Sequence, residues 1–283
     1  MEAALALVRF VHFASALFLF GAGALRLALP AIPPAADARL KKLLVVAAFV
    51  APATAILWFV LTVAQMAGAP AAMGDPAILQ LVLFHTAFGT LWSGRLILAA
   101  VLATLALFVR RFRISFVIVS ALFAASLALT GHAAGDAGWP GSVHAIADAV
   151  HLLCAGIWLG GLCELLIVLR AAPSMAGSVL RRFSALAIPA VALVVISGAA
   201  NALAIVPDWA AFAGSRYGVL LIVKVVLAAA MVGLALLNRL VFAPRFECSS
   251  VAARNLRRSI AAEIVFGAIV LAIVGLLGLT APQ

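Results

Sequence analysis

Runs of apolar residues, each about the length needed to cross a bilayer, constrain this chain more than any other feature. "VLLIVKVVLAAAMVGLALL" at 219–237 is one of them. A hydrocarbon core of ~30 Å takes ~20 helical residues to cross. Lipid offers no partner to exposed backbone groups, so an open-ended crossing must be helical. The composition agrees: 67% of the 283 residues are hydrophobic and 10% are charged, against roughly half and a quarter in soluble domains. The expected fold is all-α, a polytopic membrane helix bundle forming one domain over 1–283.

Eight spans are predicted, near 5–29, 43–66, 92–109, 114–131, 143–169, 183–206, 217–243 and 258–279. The segment 77–91, "AILQLVLFHTAFGTL", is apolar but too short and too close to the third span to cross separately. It is expected to be a short interfacial helix. "MEAALALVRFVHF" lacks a basic stretch before its apolar run, so it reads as a retained span and not a signal peptide. No short-period repeat is present. Cys154, Cys163 and Cys248 form no CxxC pair, which argues against a disulfide framework.

The formal charge of +10 is explained by topology. Arg26, Arg39, Lys41 and Lys42 lie between spans 1 and 2, and Arg110, Arg111 and Arg113 between spans 3 and 4. Arg170, Arg181 and Arg182 follow span 5, and Arg239, Arg245, Arg254, Arg257 and Arg258 follow span 7. Fifteen of the nineteen basic residues thus fall on one side, which the positive-inside rule makes cytoplasmic. Both termini are then expected in the periplasm, beside an interfacial helix on that side. No nucleic-acid partner is needed.

All five histidines fall in the periplasmic half of this arrangement: His12, His85, His132, His144 and His151. His144, Asp148 and His151 have the i, i+4, i+7 spacing of one helical face. The two histidines are ~10 Å apart along the axis, so they cannot share one ion, but Asp148 can reach either. Ionisable groups within a span usually face a bundle interior or a wet cavity. The structural alternative is that Asp148 pairs with Arg95 or Lys224 and locks the bundle. Imidazole with carboxylate suits copper among the common metals, and Cys154, Met66 and Met73 are softer candidate ligands that ordinary packing explains as well. Glu164 and Glu263, in the other half, are expected to pair with the many arginines there or, alternatively, to form a lower relay for an ion.

Several segments resemble the CopD/PcoD family of bacterial inner-membrane copper-resistance proteins. They are "RRFSALAIPAVALVVISGAANAL" (181–203), "SRYGVLLIVKVVLAAAMVGLALLNRLVFAPRF" (215–246) and "LRRSIAAEIVFGAIVLAIVGLLG" (256–278). "GHA" at 131–133, "HAIADAVHLLCAGIWLGGL" at 144–162 and "RFVHFASALFLFGAG" at 9–23 are similar to its histidine segments. On this resemblance the chain divides into a 1–180 bundle carrying the histidine segment and a 181–283 CopD-like three-helix region. The resemblance implies copper homeostasis at the inner membrane and a periplasmic copper-binding partner of the CopC type. It carries the copper site onto His12, His132, His144, Asp148 and His151, with His85 as a weaker member.

The resulting reading is a non-enzymatic copper permease. No P-loop or soft-metal cysteine ladder is present to power it. Two alternatives stand beside it. One is a haem b membrane cytochrome with His12 and His151 as axial pair and Arg95 and Lys224 at the propionates. The other is a docking factor for a copper chaperone that moves nothing.

Overall fold

The computed structural model describes residues 1–29, 32–130, 139–205 and 214–280, and these hold helices and turns with no strand. The helices are α1 (Glu2–Ala28), α2 (Pro34–Met66), α3 (Pro76–His85), α4 (Ala87–Leu107) and α5 (Arg113–Ala125). They continue with α6 (Trp139–Ala171), α7 (Ala176–Ile205), α8 (Arg216–Leu237) and α9 (Ser250–Leu277). A 3₁₀ turn, Ser126–Thr130, extends α5. Among the described residues, eight helices are long and apolar enough to cross a membrane, and α3 is the short remaining one.

Several helix starts differ from the expectation, α7 and α9 beginning at Ala176 and Ser250 and not near 183 and 258. The third span begins at Ala87, not at 92, because Thr86 ends α3 and caps α4: its hydroxyl donates to the Val82 carbonyl at 2.6 Å and accepts from the Gly89 amide at 2.9 Å. A Cβ on Gly89 would lie 2.1 Å from the Val82 oxygen, so the sharp turn needs glycine there. α2 begins at Pro34 and carries Asp37 and Lys41 as a polar extension before its apolar run. Asp37 ties the arginine-rich ends together, meeting Arg26 of α1 at 3.0 Å and Arg110 at 2.5 Å.

α1 and α6 are the central pair, each with more than half of its apolar stretch buried. Their crossing is set by small residues. A Cβ on Gly21 would lie 1.7 Å from the Gly156 oxygen, and one on Gly160 would lie 2.9 Å from the Gly21 Cα. Gly156 and Gly160 form a GxxxG pair, which allows two backbones to approach closely in lipid.

The packing repeats itself in two halves. α1 packs on α2 and α5, as α6 packs on α7 and α9; α4 packs on α5 as α8 does on α9; α1 meets α9 as α6 meets α5. The sequence follows suit. "VHFASALFLFG" at 11–21 corresponds to "VHLLCAGIWLG" at 150–160, and "RLILAAVLATLAL" at 95–107 to "KVVLAAAMVGLAL" at 224–236. Gly21 and Gly160 are therefore equivalent residues that touch each other. One contact breaks the correspondence: α2 packs along α4, but among the described residues α7 has no comparable packing on α8.

Candidate functional site

Each half holds a histidine at the same place in the repeat. His12 is fully buried between α1, α2, α4 and α5. Its Nδ1 lies 2.9 Å from the Thr54 hydroxyl, and that hydroxyl donates to the Val50 carbonyl at 2.8 Å. With its hydrogen given away, Thr54 can only accept from the imidazole, so Nδ1 carries the proton. Nε2 is then the acceptor, and Arg95 Nη2 donates to it at 2.7 Å. Arg95 Nη1 donates to Ser126 at 2.5 Å. Trp58 and Phe123 stand edge-on to the imidazole at 5.5 and 5.3 Å.

His151 has the same device with a different outcome. Its Nδ1 lies 3.0 Å from Ser197 Oγ of α7, and Ser197 donates to the Leu193 carbonyl at 2.5 Å. Nδ1–H is again fixed as the donor. A neutral histidine bound to metal usually has this form, with one nitrogen held by an outer partner and the other bearing the lone pair. Among the described residues nothing bonds to Nε2. Gly198 keeps the ring close to α7, since a Cβ there would lie 3.2 Å from His151 Cε1.

Asp148, one turn before His151, accepts from Asn201 Nδ2 of α7. Lys224 and Tyr217, both on α8, are within electrostatic reach of its carboxylate, and Lys224 is also within reach of His151. The Asn201 Oδ1 atom is buried without a partner. The cluster therefore offers a carboxylate, an amide oxygen and an imidazole nitrogen from two helices, a donor set suited to an oxidised first-row metal.

The structure divides the candidate site residues. Asp148 and His151 share one cluster. His144 stands half-buried near the start of α6, on the same face. His12 belongs to the other cluster, and both its ring nitrogens are engaged. The expected convergence of His12 with Asp148 and His151 is not present, because the repeat sends each histidine to its own half. Among the described residues no three of His, Cys, Asp and Glu form a metal-holding group. For the same reason His12 presents no nitrogen to a porphyrin iron. His85 is exposed at the end of α3. His132 lies outside the described residues.

The basic residues also separate: Lys224 attends Asp148, whereas Arg95 is bound to His12. Among the described residues Glu164 and Glu263 do not pair with arginine. Neither oxygen of Glu164 has a hydrogen-bond partner, and Glu263 accepts from Asn238 Nδ2 at 2.5 Å. Ser197, Asn201 and Thr54 were not singled out in the sequence. The correspondence of VH with VH and of Arg95 with Lys224 is the signal that locates their helices.

These features define a polytopic helical membrane protein with two ionisable clusters set between its spans. Residues 1–142 match the copper resistance protein D-like N-terminal domain, and residues 177–277 match copper resistance protein D. The chain belongs to the copper resistance protein D family. It is 33% identical over 246 residues to copper resistance protein D of Pseudomonas syringae pv. tomato, covering 81% of this chain and 79% of that one. It is 34% identical over 215 residues to inner membrane protein YebZ of Escherichia coli K12, covering 74% and 73%. A copper transport protein, CutJ of Bacillus subtilis 168, is 32% identical over 167 residues, which span 53% of this chain and 30% of that protein. No solved structure matches the chain.

Proposed function

We propose that the protein is a copper permease of the bacterial inner membrane, with no enzymatic activity, that takes its cargo at the Asp148–His151 cluster. The arginine-rich ends face the cytoplasm, by the positive-inside rule. The histidine-bearing ends then face the periplasm, where a soluble copper-binding protein of the CopC type delivers the ion. His144 and the His132 segment receive copper first. Asp148 and His151 take it next, about 6 and 10 Å beyond His144 along α6 at 1.5 Å per residue.

The observation that carries this reading is the preset His151. Its hydroxyl partner fixes the tautomer and, among the described residues, leaves Nε2 without a partner, one turn along α6 from Asp148. Lys224 balances Asp148 while copper is absent and withdraws as the ion arrives, which spares the bundle an uncompensated buried charge. The names of the relatives, copper resistance, inner membrane and copper transport, support the cargo and the compartment.

Sealed vesicles containing the purified chain test it. Copper uptake should depend on the protein and fall to background in His151→Ala and in Asp148→Asn, with both variants inserted normally. Uptake at the parental rate in both variants would remove the cluster from the path. Protein-bound copper without uptake in any variant would leave a docking factor.

A further inference from the structure

Two buried acids lie in the arginine-rich half of the bundle, and the copper cluster uses neither. Glu164 of α6 is 0% exposed and Glu263 of α9 is 1% exposed. Both Glu164 oxygens and the Glu263 Oε2 atom are buried without a hydrogen-bond partner. Among the described residues the ion pairs are those of Asp37, so no cation lies in salt-bridge range of either acid. An ionised carboxylate in such a place carries a large desolvation penalty, and a carboxylic acid does not.

The surroundings point to proton exchange. Arg26 of α1 and Asp37 of α2 are the charged groups within electrostatic reach of Glu164. The Asp37 side chain is partly exposed at the arginine-rich end, so Glu164 lies within electrostatic reach of a group in contact with water. Glu263 faces Asn238 and Trp158. Asn238 opens a π-helical turn, Asn238–Phe242, at the end of α8. Such turns often mark functional sites, and this one turns the Asn238 amide onto the acid. Trp158 lies seven residues after His151 on the same face of α6, and its side chain is near the Glu263 carboxyl. One face of α6 thus leads from the copper cluster to a protonatable group.

We infer that Glu164 and Glu263 hold exchangeable protons, and that copper entering the bundle displaces them. The carboxylic O–H bond breaks and the proton passes to water at the arginine-rich end. The electron pair stays on the carboxylate, which neutralises the arriving cation. Each positive charge gained is matched by one proton lost, and no electron is transferred. This inference names the ion that arriving copper displaces inside the permease and rests on that reading.

The test is an infrared difference spectrum of the full chain in lipid bilayers, recorded with copper minus without. The expected result is loss of the protonated-carboxyl carbonyl band on copper addition, shifted in D₂O, halved in Glu164→Gln or Glu263→Gln and absent in the double variant. Thermal unfolding of each variant confirms that it is folded. A copper-dependent band that survives in the double variant would overturn the inference, as would the absence of any such band in the parent chain. Vesicle uptake separates the two claims: uptake without the infrared change refutes proton exchange alone, whereas the infrared change without uptake refutes the permease alone.

Discussion

Gly21→Ala puts the central helix crossing to the test. The new Cβ would lie 1.7 Å from the Gly156 carbonyl oxygen, where ordinary contact begins at 3.4 Å, so α1 and α6 must separate by about 1.7 Å. The obstruction is backbone, with no flexible side chain to move aside. Overpacking costs ~1–3 kcal/mol, and a backbone clash belongs at the top of that range. Replacing a helical glycine returns up to ~1 kcal/mol. The net loss is about 2 kcal/mol, roughly thirtyfold in the unfolding equilibrium. Gly233→Ala is the matched control, because a Cβ there meets nothing within 4 Å. It should stay within about 1 kcal/mol of the parent. Thermal unfolding in detergent, followed by tryptophan fluorescence, reads both. If Gly21→Ala is as stable as Gly233→Ala, the close approach of α1 to α6 is wrong, and so is the equivalence of Gly21 with Gly160.

The two histidines should respond oppositely to substitution. Ser197→Ala releases His151 Nδ1 and should weaken copper binding by ~10–100-fold with little effect on unfolding; competition with a chelator measures it, and unchanged affinity would disconnect the hydroxyl from the site. His12→Ala leaves the Arg95 guanidinium facing a cavity and should cost about 3 kcal/mol or more, with copper affinity kept. A stable His12→Ala protein that had lost copper would reverse the roles assigned to the two halves.

The spans were legible because length and apolarity alone decide a membrane crossing. The face of α6 was legible too, since i, i+4, i+7 spacing on one helix needs no knowledge of neighbours. What joins different helices was not. A serine or threonine in a span reads as a small tolerated residue until its partner is known, which hid Thr54 and Ser197. Arg95 and Lys224 were equal candidates for Asp148 in the sequence, and only helix order assigns them to different histidines. The acids misled for a related reason: abundant arginines at one end suggested ion pairs, but Arg26 and Arg110 there are taken by Asp37.

The lack of comparable α7–α8 packing among the described residues has a mechanical consequence. Each of these two helices is held mainly by one neighbour, α7 by α6 and α8 by α9, whereas α2 and α4 brace each other. Segments with few buried contacts open at the lowest free energy. Thermal motion will therefore concentrate in the α7–α8 pair. Ser197, Asn201 and Lys224 ride on those two helices, so a small swing of either changes what His151 and Asp148 can grip, while the braced half keeps the molecule upright in the bilayer.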